Sequence, residues 1–390
     1  MHRTLAVAAA SALLLLTEPS PSAAQQAPIR IGVVFAVSGG HAALGKSVNT
    51  TIAAWLAQHK NLAGGRPVEV LLRDDSEQPD TAKRLATELV IQDHVDFLVG
   101  ANTTPVALAL AGVSTSAKVP LFIVNSNNEG ITNGAPYASR FAPTWKDLVV
   151  PLARRALKDG AKTAYTISVD LASGRLAQQI FSDSFTAGGG KVVGSLAVPL
   201  GTTDWSSFML RVRDEKPQAI FMMAAGGPTA ITFLKALTLN GMRPATKIYA
   251  TADLTSEQSL PPEGDDALGV VTASNYTPAH DSALNRAFVK TYLAQTANPG
   301  QTDLPSFMDV QFWDILTAID KLVAAQSGPL DLTKTMATLR GLAWEAPQGP
   351  VWLDSQSRDL KQNVYLRRTE KRGGQLVNVD FDTFTPQQLQ

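Results

Sequence analysis

The sequence predicts an α/β protein of two lobes, each built around a parallel sheet. Three observations predict it. Apolar runs of strand length recur at 31–37, 68–72, 97–100, 121–124, 164–169, 192–198, 219–224, 248–251 and 268–272. Helical patterns lie between them, at 81–92, 106–116, 145–157, 171–185, 205–213 and 229–239. Such alternation is the mark of parallel strands joined by right-handed crossovers. Third, nine strands in 390 residues suit two sheets in two lobes better than one small sheet.

The elements follow in order. Ile31-Gly32-Val33-Val34-Phe35-Ala36-Val37 is a continuous apolar run, as expected of a strand buried on both faces. A turn-rich segment, Ser38-Gly39-Gly40-His41, leads into a helical pattern with Leu44, Val48, Ile52, Trp55 and Leu56 on one face. The loop lies at the carboxyl end of its strand, where open α/β sheets bind ligands. Free N–H groups at the helix start suit a carboxylate or a phosphate. Gly64-Gly65-Arg66-Pro67 and Val119-Pro120 each punctuate the approach to a strand, and Gly188-Gly189-Gly190 and Gly241 close helices. After about residue 280 the pattern changes to two helices, 284–294 and 307–325, and short strand-like runs at 351–353, 364–367 and 376–379.

The first loop also matches the phosphate-loop pattern G-x-x-x-x-G-K-[S/T], through Gly40, Gly45, Lys46 and Ser47. Taken alone it would indicate a nucleotide hydrolase. Few of its positions are fixed, and the nearest aspartates for magnesium, Asp74 and Asp170, are not distinctive.

Lys+Arg and Asp+Glu both total 34, so bulk charge gives no reason to expect nucleic-acid binding. With no cysteine, disulfides, iron–sulfur clusters and thiolate zinc sites are excluded. The five histidines show no metal-ligand spacing. Residues 1–24 read as a secretory signal: a basic start at His2 and Arg3, a short apolar segment, then small residues Ser22 and Ala24 before Gln25. The mature protein is therefore expected in the periplasm, where there is no ATP supply, which weighs against the phosphate-loop reading.

Loose matches in a common order give the chain a family likeness. They include Ser38-Gly39 with Gly45, Asn61-Leu62-Ala63-Gly64-Gly65-Arg66-Pro67, Asp74-Asp75 with Pro79, and Val95-Asp96-Phe97-Leu98-Val99-Gly100. Val119-Pro120-Leu121-Phe122, Asp170 to Gly174, Thr203-Asp204-Trp205, Lys216-Pro217-Gln218-Ala219-Ile220 and Gly241 continue the series. The chain resembles the periplasmic solute-binding proteins of ABC transporters, of the leucine/isoleucine/valine-binding type. The resemblance implies the type I periplasmic binding fold: two Rossmann-like lobes joined by a hinge of several crossovers. The expected division is 25–145 plus 277–350 for the N-terminal lobe and 146–276 plus 351–390 for the C-terminal lobe. The resemblance further implies a monomer that closes on one small solute and delivers it to an inner-membrane permease, with no cofactor, no metal and no nucleic acid.

Ligands of the family sit between the lobes, on loops after strands. The candidates on the N-terminal side are Ser38, Gly39 and His41, then Asn102 and Thr103, then Asn125, Ser126 and Asn127. On the C-terminal side they are Asp170, Ser173, Gly226, Asp253 and Tyr276. Asn102, Thr103, Asn125 and Asn127 are expected to cradle a carboxylate, and Asp253 and Tyr276 to close over the other end. The run of amides at 125–128 and the serine at 173 depart from the amino-acid-binding pattern. A small organic acid is therefore expected, an aromatic carboxylate ahead of a branched-chain amino acid. The rivals are a ligand sensor feeding a receptor and an enzyme. No G-x-S-x-G, H-E-x-x-H or G-x-G-x-x-G motif supports the latter.

Overall fold

Strand β1 (Ile29–Val34) is the pivot of the first sheet. It is hydrogen-bonded in parallel on both edges, to β3 (Arg66–Arg73) and β4 (Phe97–Gly100), and its isoleucines and valines are buried under the elements packed on both faces. With β2 (Leu62–Ala63), β5 (Leu121–Ile123) and β6 (Ala138–Arg140), the order is β2-β3-β1-β4-β5-β6. The computed structural model describes residues 27–38, 42–223, 226–296, 299–300 and 303–389. The predicted signal, residues 1–24, lies outside these.

The second sheet has the order β16-β15-β11-β10-β9-β7-β8. Its parallel strands are β7 (Thr163–Val169), β8 (Lys191–Val198), β9 (Ala219–Met223), β10 (Lys247–Thr251) and β11 (Val271–Ser274). The next three strands, β12 (Ala343–Ala346), β13 (Gly349–Leu353) and β14 (Leu360–Lys361), make a small antiparallel sheet of their own. The antiparallel β15 (Val364–Arg372) and β16 (Gln375–Phe384) complete the second sheet.

Helices cover both faces of each sheet. α1 (Ala42–Gln58) packs with α9 (Ala283–Leu293) and α10 (Phe307–Ala324) on one side of the first sheet, around Trp55, Phe288, Trp313 and Phe97. α2 (Pro79–Ile91) and α3 (Thr104–Ala117) cover the other side. α4 (Trp145–Lys158) and α5 (Ala172–Ala187) cover one face of the second sheet. α6 (Ser206–Asp214), α7 (Pro228–Leu239) and the short α8 (Leu260–Glu263) cover the other. The short helices α11 (Leu332–Leu339) and α12 (Pro386–Leu389) finish the set. The chain crosses between lobes after β6, after β11 and after β14.

Packing divides the C-terminal segment differently from the sequence reading, which gave 351–390 to the second lobe. Val351, Leu353 and Leu360 join the core of the first sheet, together with Trp344. Only from Val364 does the chain enter the second sheet's core. The physical reason is the alternation in β13, whose Val351 and Leu353 face Trp344 and Leu339 rather than a strand edge of the second sheet. Strand β6 was also missed; three residues with a polar centre, Ala138-Ser139-Arg140, carry no apolar run. Among the described residues no helix is long and apolar enough to cross a membrane.

Candidate functional site

In each sheet the strand order reverses beside the first strand of the lobe, between β1 and β4 and again between β7 and β9. The crevice at the carboxyl ends of such a switch point is the expected ligand site. Glycines fit the turns there: a side chain on Gly100 would strike the Val34 carbonyl, and one on Gly174 the Val169 carbonyl. The helices that leave these turns begin without a side-chain cap. No side chain caps α3 at Thr103, α5 at Leu171 or α7 at Gly227. By contrast α4, which follows the first crossover, and α10 carry capping boxes from Thr144 with Asp147 and Ser306 with Asp309. Uncapped helix starts leave backbone N–H groups for another acceptor.

The first lobe's wall of the crevice is a closed amide network. Ala101 and Asn125 sit at φ 80° and 44°, a left-handed region uncommon for residues other than glycine, directly after β4 and β5. Asn102 donates to Glu77 through a very short hydrogen bond, and its carbonyl oxygen accepts from Asn125 Nδ2 at 2.9 Å. The Asn125 backbone N–H donates to Gln311 Oε1 at 2.9 Å. Asn127 Nδ2 donates to the Pro143 carbonyl at 2.7 Å, and Ser126 Oγ lies 3.1 Å from Thr104 Oγ1. The side-chain N–H donors of the expected carboxylate cradle are thus turned to protein acceptors. Thr103 alone keeps a side chain with no hydrogen-bond partner among the described residues, beside the free amides of α3.

The second lobe's wall is less complete. A narrow cavity of about 20 Å³ lies between the lobes. Asn125, Asn127, Phe307 and Gln311 line it from one side, and Trp145, Leu148, Thr251 and Asp253 from the other. That is room for about one water, so a ring enters only when the lobes part or side chains move. Two buried polar atoms lining the cavity have no hydrogen-bond partner among the described residues: Thr251 Oγ1 on the second lobe and Gln311 Nε2 on the first. Unpaired buried donors are uncommon and call for an explanation. Asp253 is half-buried, and burial pushes its carboxyl up to about 6 against the pull of its own backbone N–H and of Arg367. Beneath this wall Arg367 is fully buried; it pairs with Glu257 at 3.3 Å and donates to the carbonyls of Tyr276 and Ala252. Neighbouring Glu263 has two buried carboxylate oxygens without partners, and burial together with the Glu257 charge pushes it up to about 8.

The remaining predicted residues fall out as follows. Gly39 and His41 lie outside the described residues. Ser38 is exposed, and its hydroxyl helps hold the Asp74 carboxyl below its ordinary range. The Asp170 carboxylate turns away to an ion pair with Arg175. Ser173 is half-buried on α5, and Gly226 backs onto the Asp253 carbonyl. Tyr276 does not line the cavity: it is fully buried against Phe288, and its hydroxyl donates to Asn285 Oδ1 at 2.9 Å. Its place is the first lobe's core, reached because the crossover after β11 folds back onto α9. Gln311 and Phe307 were missed as site residues. The sequence shows them as core positions of an apolar helix, and the signal available was one glutamine among apolar neighbours.

The phosphate-loop pattern resolves into structure. Lys46 Nζ pairs with Asp303 at 2.7 Å, and Ser47 Oγ donates to Asp309 at 2.5 Å, tying α1 to the start of α10. Both groups that would hold phosphate and magnesium are engaged by carboxylates. Among the described residues no cluster of His, Asp or Glu could hold a metal ion.

A family model described as "Periplasmic binding protein" matches residues 28–375. The Leu/Ile/Val-binding protein homolog 6 of Brucella melitensis is 36% identical over 369 residues, 94% of each chain. A solute binding protein of an ABC transporter from Rhodopseudomonas palustris HaA2, solved in complex with p-hydroxybenzoic acid, is 34% identical, with a TM-score of 0.87 over 92% of this chain and 98% of that one. Another, from strain BisB5 in complex with 3,4-dihydroxy benzoic acid, is 34% identical with a TM-score of 0.85, over 92% of this chain and 98% of that one.

Proposed function

The chain belongs to the periplasmic binding protein family, and on that premise we propose that it captures a small aromatic carboxylate for an ABC importer. The observation that carries this reading is the cavity between the lobes. It combines apolar and aromatic side chains, Trp145, Leu148 and Phe307, with polar atoms of Thr251 and Gln311 that have no partner among the described residues. That is the composition of a site for a small ring with polar ends. The carboxylate goes to the first lobe, at Thr103 and the open start of α3, where the helix dipole favours negative charge. Asn102, Asn125 and Asn127 hold that wall in shape rather than donate to the ligand. The ring lies against Phe307 and Trp145, and closure of the second lobe buries it.

The protein works outside the cytoplasm, as a monomer, handing its solute to an inner-membrane permease. The signal-like residues 1–24 and the relatives' membership of ABC transport systems support this. It performs no chemistry on its solute. Calorimetry on the mature protein tests the reading with benzoate, 4-hydroxybenzoate, their amides, leucine and isoleucine. Aromatic acids are expected to bind, and the amides ~10- to 100-fold more weakly, the worth of a hydrogen bond to a charged group. Tight binding of leucine with none of any aromatic acid overturns it.

A further inference from the structure

Among the described residues, the carboxyl group that the second lobe's wall presents accepts only from its own backbone N–H. Asp253 lines the cavity from the turn after β10, and no side chain among the described residues donates to it. The guanidinium that influences it is directed elsewhere, to Thr272, Glu257 and the carbonyls of Tyr276 and Ala252. The turn is held in place: a side chain on Gly226 would come within 3.0 Å of the Asp253 carbonyl oxygen. Asp253 therefore stands at the cavity edge with acceptor capacity that no side chain among the described residues takes up. Thr251, two residues earlier on the same turn, adds an unpartnered hydroxyl.

We propose that Asp253 determines the specificity of the site by accepting a hydrogen bond from a ring hydroxyl of the ligand, so that the cleft selects hydroxylated aromatic acids over unsubstituted ones. This rests on the aromatic-acid reading above. Three steps carry it. A ligand carboxylate cannot face Asp253, since like charges repel at close range, so the acid end must point to the first lobe. The end that meets Asp253 must then donate, because a ligand lacking a donor leaves a desolvated carboxyl unpaired. Finally, the donor must lie across the ligand from its carboxylate. A ring hydroxyl does so. An amino acid does not, because its ammonium sits on the carbon that bears the carboxylate.

A site built to bond a hydroxyl rejects the analogue that lacks it far more strongly than an apolar pocket rejects a small difference in size. The test is calorimetry on the full mature chain with 4-hydroxybenzoate, benzoate, 4-methoxybenzoate and leucine. It covers wild type, Asp253→Asn and Asp253→Leu, with folding checked by circular dichroism. Wild type is expected to hold 4-hydroxybenzoate at least ~10- to 100-fold tighter than benzoate or 4-methoxybenzoate, the worth of one hydrogen bond to a charged group. Asp253→Leu should bring the three to within a few-fold, and Asp253→Asn, which keeps an acceptor oxygen, should retain part of the preference. Should the leucine variant not fold, the wild-type ligand series and the asparagine variant still decide. Equal binding of the hydroxylated and methoxylated acids by wild type overturns the assignment while leaving the aromatic-acid reading intact. Failure of every aromatic acid to bind overturns both. Tight leucine binding that Asp253→Asn abolishes makes Asp253 an ammonium partner and overturns this proposal.

Discussion

The asparagine loops of the first lobe and the turn after β10 in the second lobe are built on opposite plans. On the first lobe, Asn102, Asn125 and Asn127 give their amide hydrogens to Glu77, to one another and to Pro143. On the second lobe, Thr251 and Asp253 face the cavity with no such side-chain partners among the described residues, above one buried arginine paired with Glu257. The difference teaches that residues of similar polarity after successive strands need not share a role. A satisfied network holds a wall rigid; unsatisfied groups are available to discriminate. The helix starts differ as well: α4 and α10 carry capping boxes, while α3, α5 and α7 begin without a side-chain cap.

The largest expected effect concerns charge beneath the second wall. Glu263 is buried with both carboxylate oxygens unpaired, and its folded pKa is pushed from 4.5 up to about 8. A carboxyl with a raised folded pKa binds more protons in the folded state than in the unfolded state. Its contribution is therefore fully present below pH ~4.5 and is lost as pH rises through about 8. Between those values wild type should lose stability, on the order of a few kcal/mol, relative to Glu263→Gln. Urea unfolding at pH 5 and pH 9 checks this. Parallel curves for the two proteins would mean that Glu263 ionises freely and that the second wall is less desolvated than its geometry implies.

The next effect sets the walls directly against each other. Asn127→Ala leaves the Pro143 carbonyl without its donor and should lower stability by ~1–3 kcal/mol, with little change in the ratio of affinities among ligands. Thr251→Val removes a hydroxyl that has no partner among the described residues, keeps nearly the same shape, and should leave stability unchanged or raised. Its effect should appear in ligand binding, as a loss of several-fold for a hydroxylated acid. Thermal denaturation and calorimetry on the two variants separate these outcomes. If Thr251→Val destabilises while Asn127→Ala alters selectivity, the roles given to the walls are reversed.

The fold was more legible than the site for a physical reason. Buried parallel strands must be apolar throughout, so 97–100 and 121–124 announce themselves in composition, and the structure places β4 at Phe97–Gly100 and β5 at Leu121–Ile123. Edge strands such as Ala138–Arg140 carry no such constraint. The site depends on where each hydrogen bond goes, which composition does not encode. Asn102 and Thr103 read alike as donors, yet one is tied to Glu77 and Asn125 while the other is free. Tyr276 is expected from the sequence to close over the ligand, but the chain turns its ring into the first core, against Phe288. Gln311 was invisible because a single polar residue on an apolar helix is consistent with many surroundings. Only the structure shows its one oxygen taken by Asn125 and its nitrogen left over.

The smallest expected effect tests the opening helix, where pattern and structure disagree most. Lys46, Ser47 and the upstream glycines spell a phosphate loop, but Lys46 is largely exposed and its ammonium pairs with Asp303 at 2.7 Å. An exposed ion pair of this kind contributes ~0–1 kcal/mol, because solvent screens it and two side chains must be ordered to make it. Lys46→Ala should therefore shift the melting temperature little, and less at high salt. It should leave affinity for aromatic acids within a few-fold, since Lys46 does not line the cavity between the lobes. Equilibrium dialysis with Mg-ATP should find no specific binding to wild type or variant. Micromolar Mg-ATP binding that disappears in Lys46→Ala would show that the lysine can leave Asp303 for a phosphate. The first loop would then belong to a nucleotide site, and the first wall would be more than a rigid frame.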